Sequence, residues 1–262
     1  MNYFRWPSVS WSGAARMWER DLTLYRRTYK YNLLPQFFAP ILYLLSIGLG
    51  LGKYLGSEIG GVPYVQYIAP GLAAMAAMNG VVFELTFNLY GKLQFARLYD
   101  AVIATPLEPE DVAVGELLWA LTRCMIYVVG FLVVMAMFGD LTSFSGALLA
   151  LISLPLVGIV FGLIALIYTC VVPSIDFFTY FFVFFYTPLF LFSGIFFPIE
   201  NLPAAAEYAA FLSPLYHGVE MTRRFALGGD MGTALLHAAI LVGFSLILFP
   251  PAINLMRRRL VV

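Results

Sequence analysis

The sequence has 262 residues, of which 61% are hydrophobic and only 11% are charged, and its mean hydropathy is +0.86. A soluble domain carries about 25% charged residues, so this composition excludes an ordinary soluble enzyme and predicts an integral membrane protein. The formal net charge of zero argues against a nucleic-acid partner. Cys124 and Cys170 fall in or beside apolar runs, which favours buried thiols over a disulfide framework.

The N-terminal arm, residues 8–31, is predicted to form an amphipathic helix. Its apolar stripe recurs at spacings of three and four residues and consists of Trp11, Ala15, Trp18, Leu22, Tyr25 and Tyr29. Arg16, Arg20 and Arg26 lie off this stripe. A basic amphipathic helix with tryptophans on its apolar face suits a membrane surface, although the pattern also fits docking on another protein. We favour the membrane surface because an apolar span follows directly.

Six segments are apolar enough to cross a bilayer, which requires about 20 residues in a helix. They are residues 34–55, 67–90, 116–138, 146–170, 177–197 and 233–255. The predicted fold class is therefore an all-α integral membrane protein with six transmembrane helices. Two glycine pairs at a spacing of four, Gly48 with Gly52 and Gly158 with Gly162, predict close helix packing.

The distribution of basic residues predicts the orientation. Twelve of the fifteen Lys and Arg residues lie in the arm, around the connection between the second and third segments, or at the C-terminus. Lys53, Arg223 and Arg224 are the other three. Because basic residues accumulate on the cytoplasmic side, both termini are predicted to be cytoplasmic.

Residues 92–105, in the connection between the second and third segments, predict a short amphipathic helix on the cytoplasmic side. Pro106 would end this helix, and Pro109 fits the first turn of the next one. Such a helix could dock into the groove of a partner, although a plain connector is the alternative. The residues assigned to docking are Phe95, Arg97, Leu98, Asp100 and Thr105.

Three polar residues, Asn79, Glu84 and Asn88, lie inside the second segment. An ionisable residue at membrane depth is costly and usually functional, but a single acid leaves a packing role for Glu84 open. The fifth segment is strongly aromatic, with twelve Phe or Tyr residues among its 21 positions. These rings could contact acyl chains and sugar faces, although aromatic belts at the membrane interfaces are the alternative.

Residues 198–228 predict a broken segment on the outer side. Gly194, Pro198 and Pro203 interrupt the fifth segment, and Ser213-Pro214 separates two short helices at 204–212 and 215–227. Neither helix is long enough to cross the membrane. Irregular backbone at membrane depth requires protein or water around it, so we expect a re-entrant helical hairpin before the last span.

The sequence contains no complete nucleotide-binding loop or catalytic motif. Residues 47–54 come nearest to the G-x-x-x-x-G-K-[ST] pattern but lack its first glycine and its Ser or Thr. His217 and Glu220 have no third ligand nearby, so we expect no metal site. Because no nucleophile, base and acid occur together, the chain is not predicted to be an enzyme.

One set of motifs carries a family resemblance. They are Ser193-Gly194-Ile195-Phe196-Phe197-Pro198, Asn201-Leu202-Pro203, Ser213-Pro214-Leu215-Tyr216-His217, Glu220, Arg223, Arg224 and Leu227-Gly228. In these residues, and in its layout over nearly its whole length, the chain resembles the transmembrane subunits of ABC-2-type ABC exporters. In particular it is similar to the nodulation-factor (lipo-oligosaccharide) exporter permeases.

The resemblance implies a homodimer in a bacterial cytoplasmic (inner) membrane, associated with a separate ABC nucleotide-binding subunit. That subunit would bind ATP and Mg, and this chain would bind no cofactor. Residues 92–105 would be the coupling helix, 8–31 the gate helix and 198–228 the re-entrant segment. The residues assigned to translocation and the outer gate are Tyr180, Phe184, Tyr186, Phe196, Glu200, His217, Glu220 and Arg223.

The function implied by the resemblance is export of a lipid-linked glycan or lipo-oligosaccharide, with membrane lipid and a glycolipid as partners. Three alternatives stay open at this point. One is an exporter of a hydrophobic drug-like compound, another is an intramembrane lipid-modifying enzyme, and the last is a scaffold protein without transport.

Overall fold

The computed structural model describes residues 6–46, 58–59, 61–95, 98–138, 143–201 and 203–261. Its longer helices are α1 (Trp11–Leu45), α2 (Tyr64–Phe83), α4 (Pro109–Phe138), α5 (Phe144–Val171) and α10 (Met231–Val261). The shorter ones are α3 (Leu98–Ile103), α6 (Phe178–Tyr180), α7 (Thr187–Phe192), α8 (Ala204–Phe211) and α9 (Pro214–Leu227). A small antiparallel hairpin joins β1 (Glu58–Ile59) to β2 (Val62–Pro63).

Five helical stretches in the described ranges are long and apolar enough to span a membrane. They are Tyr64–Phe95, Pro109–Met137, Phe144–Val171, Ile175–Phe192 and Met231–Val261. The predicted class of α-helical membrane protein is therefore confirmed. The predicted first span, residues 34–55, lies partly outside the described residues, so the count of six spans stays a prediction.

Residues 11–31 of the predicted N-terminal arm form the first part of α1, and this helix packs along α4. Ala14 and Met17 are fully buried there, and a side chain at Gly115 of α4 would collide with Met17. Trp11, the first residue of the predicted apolar stripe, is 72% exposed. The face that contacts α4 therefore overlaps that stripe only in part, since Trp18 donates to Thr122 Oγ1 at 2.8 Å and the Tyr25 ring lies 5.4 Å from that of Trp119. A membrane surface for the exposed face stays a prediction.

The core forms where α2 packs against α4, α5 and α9, with α10 covering α5 and α9. Small residues allow these close approaches. A Cβ at Gly162 would lie 2.8 Å from Leu117 Cδ1, and one at Gly158 would lie 3.0 Å from Cys124 Sγ. The close packing predicted for this glycine pair is confirmed, whereas Gly48 and Gly52 lie outside the described residues.

The break after the fifth apolar segment has the expected local causes. After α7 ends at Phe192, Gly194 adopts a left-handed conformation with φ of 74°. The two predicted short helices are present as α8 and α9, separated at Ser213-Pro214. Gly228, also with φ of 74°, ends α9 through its left-handed conformation. The position of α8 and α9 relative to the membrane stays a prediction.

Candidate functional site

Six charged side chains meet where α1 crosses the end of the span Tyr64–Phe95 and the first half of α4. We name this group the six-charge cluster; its members are Arg20, Asp21, Glu84, Lys92, Glu116 and Arg123. They come from three separate parts of the chain. Lys92, at the centre, is the cation that touches all three carboxylates.

Lys92 compensates a concentration of buried negative charge. Its Nζ lies 2.7 Å from Glu116 Oε2, 3.0 Å from Asp21 Oδ2 and 3.8 Å from Glu84 Oε1. The exposed fraction of these carboxylates is 0% for Glu116, 3% for Asp21 and 5% for Glu84. A buried charge is tolerated only when it is paired and hydrogen-bonded, so Lys92 stabilises all three at once.

Glu84 has further partners that fix both of its carboxylate oxygens. The Trp119 indole N–H donates to Oε1 at 2.9 Å, and the Asn88 amide donates to Oε2 at 2.8 Å. Arg123 Nε lies 3.6 Å from Oε2, as an ion pair without a hydrogen bond. The structure therefore brings Glu84 and Asn88 together. Asn79 lies elsewhere and accepts a hydrogen bond from Tyr186.

Tyr99 attaches α3 to this cluster. Its hydroxyl donates to Glu116 Oε1 at 2.5 Å, and its side chain is only 2% exposed. Burial, reinforced by the charge of Glu116, raises the pKa of Tyr99 well above its ordinary value. The phenol consequently keeps its proton and remains a donor to Glu116, which connects the short helix to α4.

The other side of α3 is exposed. Phe95 is 72% exposed just before the helix, and Asp100 and Thr105 are also exposed, whereas Leu98 is half-buried. Arg97 lies outside the described residues. The helix ends at Ile103 and α4 begins at Pro109, as the two prolines predicted. The docking role assigned to these residues stays a prediction. The exposed side of α3 is accessible for such a contact.

A second polar group surrounds Arg223 on α9, at the other end of the fold. Its guanidinium donates to the carbonyl oxygens of Gly194, at 2.6 Å, and Tyr67, at 3.3 Å, and it also donates to Glu220. Its Cζ lies 4.0 Å from the centre of the Tyr67 ring. Arg223 thus ties α9 to α2 and to the left-handed turn, and Glu220 also contacts Arg224.

His217 pairs with His237 rather than facing a cavity with Glu220. The two Nδ1 atoms lie 2.8 Å apart, and His217 Nε2 lies 2.9 Å from the carbonyl oxygen of Phe211. Because a carbonyl only accepts, His217 Nε2 carries a proton. In neutral His217 the other nitrogen then accepts from His237, so this pair joins α9 to α10.

The remaining residues assigned to translocation do not converge on one point. Tyr180 and Phe184 are 57% and 73% exposed, and Glu200 is exposed as well. The Phe196 carbonyl accepts from the Tyr64 hydroxyl at 3.2 Å. An apolar cavity of about 340 Å³ lies beside this aromatic surface, lined by Phe184, Phe185, Pro188, Leu189, Phe192, Ala210 and Ser213. Their part in translocation stays a prediction.

No motif in the sequence indicates the centre of the six-charge cluster. No role was predicted for Asp21, Tyr99 or Glu116, and Lys92 and Arg123 served only to choose the orientation. One signal was available, because Glu116, Trp119 and Arg123 follow spacings of three and four residues and so share a face of α4. Among the residues with described positions, no group of three or more His, Cys, Asp or Glu could hold a metal ion.

Comparison with known proteins gives consistent matches over most of the chain. A family model for the ABC-2 type transporter matches residues 14–225. Nodulation protein J of Rhizobium leguminosarum bv. viciae is 31% identical over 244 residues, covering 93% of each chain. Nodulation protein J of Rhizobium meliloti (strain 1021) is 30% identical over 254 residues, covering 97% of this chain and 96% of the relative.

A more distant relative has a different name. The inner membrane transport permease YadH of Escherichia coli (strain K12) is 23% identical over 220 residues, covering 83% of this chain and 84% of the relative. Both the six-charge cluster and Arg223 fall within the residues that the family model matches.

Proposed function

Because the chain belongs to the ABC-2 type transporter family, we propose that it is the permease of an exporter driven by a separate ATP-hydrolysing subunit. We propose further that two copies form the permease in a bacterial inner membrane, with both termini in the cytoplasm. The cargo we assign is a lipid-linked glycan or lipo-oligosaccharide, moved outward. The family match supports transport, and the resemblance to nodulation-factor exporter permeases supports the cargo class.

The observation that carries the proposal is the way α3 is held. Tyr99 anchors one side to Glu116, while Phe95, Asp100 and Thr105 on the other side are exposed. A short helix fixed to a long span on one side and free on the other is suited to receive a force from a partner. The nucleotide-binding subunit would dock on this free side.

A hydrophobic drug-like cargo is the second candidate. It is favoured by the apolar cavity of about 340 Å³ and by the exposed rings of Tyr180 and Phe184. Such a surface would accept the acyl part of a lipo-oligosaccharide or a wholly apolar compound. The two cargoes differ in their polar part, so a glycolipid and its deglycosylated lipid distinguish them.

The test is co-purification of the tagged chain with a candidate ATPase subunit from the same organism, followed by ATP hydrolysis in lipid vesicles. We expect a stable complex whose hydrolysis rises when a glycolipid fraction is added and rises less with the deglycosylated lipid. Equal stimulation by both would favour the apolar cargo. Failure to isolate any complex in mild detergent would contradict the permease assignment.

The docking face can be tested in the same assay. Asp100→Ala should reduce stimulated hydrolysis, because the removed carboxylate lies on the free side of α3. Asp176→Ala is the matched control, since Asp176 is also exposed but lies between α5 and α6. Equal effects of the two substitutions would remove α3 from the docking surface.

A further inference from the structure

An open cavity of about 530 Å³ lies against the six-charge cluster, between α1, the end of the Tyr64–Phe95 span and α4. Charged residues from all three elements line it: Asp21, Arg27, Glu84, Lys92 and Arg123. The cavity is located where the sequence predicts the cytoplasmic end of the span. Ionisable residues at such a depth mark binding sites or transport pathways more often than packing.

Two hydrogen-bond donors in this cavity lack an acceptor. Arg123 Nε and the Tyr25 hydroxyl are buried, and neither has a hydrogen-bond partner within the part of the chain that the structure describes. Arg123 as a whole is only 8% exposed. Buried polar groups are nearly always satisfied, so unsatisfied donors on two residues that line the same cavity indicate a ligand that supplies acceptors.

The local charge favours an anion. Four cations, namely Arg20, Arg27, Lys92 and Arg123, surround three carboxylates, namely Asp21, Glu84 and Glu116. One positive charge is therefore in excess. Glu84 does not satisfy the Arg123 Nε donor, because its nearest oxygen lies 3.6 Å away, beyond hydrogen-bond distance.

Aromatic rings surround the Arg123 guanidinium, and an aromatic surface continues beyond the cavity. Arg123 Cζ lies 5.0 Å from the centre of the Tyr25 ring and 5.8 Å from that of Tyr127. Phe87, which also lines the cavity, stacks on Phe182 with ring centres 5.5 Å apart. Phe87 is 38% exposed, so an apolar surface begins where the charged one ends.

We infer that this cavity binds the anionic headgroup of an amphiphile, with Arg123 and Tyr25 donating to a phosphate or similar oxyanion. The acyl part of the amphiphile lies over Phe87 and Phe182, and Arg27 lies at the exposed edge of the cavity. This assignment goes beyond the proposed export function and does not depend on the cargo. A phospholipid headgroup and a free phosphate share the chemistry, and the experiment separates them.

The test uses the purified full-length chain in neutral detergent micelles. It is titrated with dioctanoyl phosphatidylglycerol, with dioctanoyl phosphatidylcholine as the lipid without net charge, and with inorganic phosphate as the anion without acyl chains. Affinity is measured by native mass spectrometry of retained lipid. We expect phosphatidylglycerol to bind more tightly than phosphatidylcholine and inorganic phosphate to compete only weakly.

Three substitutions sharpen the result. Arg123→Gln should weaken phosphatidylglycerol binding about tenfold or more, because a charge-assisted hydrogen bond is lost. Tyr25→Phe should weaken it several-fold without lowering thermal stability, since its hydroxyl has no partner in the described fold. Arg26→Gln is the matched control: it neighbours Arg27 but is exposed and does not line the cavity.

The outcomes that overturn the inference are distinct. Equal affinity for the two lipids, or unchanged binding in Tyr25→Phe, would contradict the headgroup site, even if Arg123→Gln fails to fold. Equal losses in Arg26→Gln and Arg123→Gln would indicate attraction to a basic surface rather than binding in the cavity. Tight phosphate binding without a lipid preference would show that the cavity binds anions and would contradict its assignment to an amphiphile. None of these results bears on ATP-driven export, which the hydrolysis assay tests separately.

Discussion

Lys92 offers the most stringent test of the charged cluster. At an effective dielectric constant near 20, its contacts with Glu116 at 2.7 Å and Asp21 at 3.0 Å are each worth about 5 to 6 kcal/mol before desolvation is subtracted. Removing one partner of a buried ion pair has a net cost of about 3 to 5 kcal/mol, because the other charge stays buried. Lys92→Met should therefore lower the free energy of unfolding by about that amount.

The assay is thermal unfolding of the purified chain in detergent, followed by intrinsic fluorescence. Arg26→Gln is the control, because Arg26 is an exposed cation on the same helix as Asp21. An exposed charge contributes at most about 1 kcal/mol, so this variant should unfold almost as the parent does. The double variant Lys92→Met/Glu116→Gln removes the closest carboxylate charge as well and should recover part of the loss.

Two results would refute this reasoning. If Lys92→Met destabilised the chain no more than Arg26→Gln does, the three carboxylates would not depend on Lys92. If the double variant were as unstable as the sum of its single substitutions, the two residues would act independently. Coupled residues in contact should instead deviate from additivity by about 0.5 to 3 kcal/mol.

Two further substitutions test single contacts by the same unfolding measurement. Tyr99→Phe should cost about 1 to 3 kcal/mol, because it leaves Glu116 Oε1 without its donor, and a loss close to zero would show that α3 is held by apolar packing alone. Gly194→Ala should lower the free energy of unfolding by more than the cost of about 1 to 2 kcal/mol that a left-handed backbone imposes on a residue with a side chain. The additional loss is expected because the new Cβ would lie 3.0 Å from Ile199 Cγ2. Gly61→Ala is its control, because Gly61 has φ of 78° but a Cβ there would have no atom of the described residues within 4 Å. Equal losses in the two variants would show that the contact with Ile199 has no effect.

Local signals in the sequence were sufficient for some of the helix boundaries. Pro106 and Pro109 bracket the gap between α3 and α4, Ser213-Pro214 separates α8 from α9, and Gly228 ends α9. Each acts through its own backbone, since proline restricts the residue before it and glycine tolerates positive φ. These effects require no knowledge of the tertiary structure, which explains why they could be read directly.

The charged cluster could not be found in this way, because it depends on distant parts of the chain. Lys92 and Asp21 are separated by 71 positions, and Trp119 and Glu84 by 35. The sequence indicated Glu84 as a costly charge but gave no means of choosing its partners. The part of the α1 face that includes Met17 and Asp21 was missed for a similar reason, since Asp21 appears polar until Lys92 is placed beside it.

The position of Lys92 has a consequence for how movement would pass through the molecule. Tyr99 on α3 donates to one oxygen of Glu116, and the other oxygen binds Lys92, which also binds Asp21 on α1. A force on α3 therefore reaches α1 through three consecutive polar contacts between buried or half-buried groups. Because an unpaired charge at any step is costly, the contacts favour joint movement of α3, α4 and α1 over separation. Glu116, with no exposed surface, is the step that cannot be replaced by water.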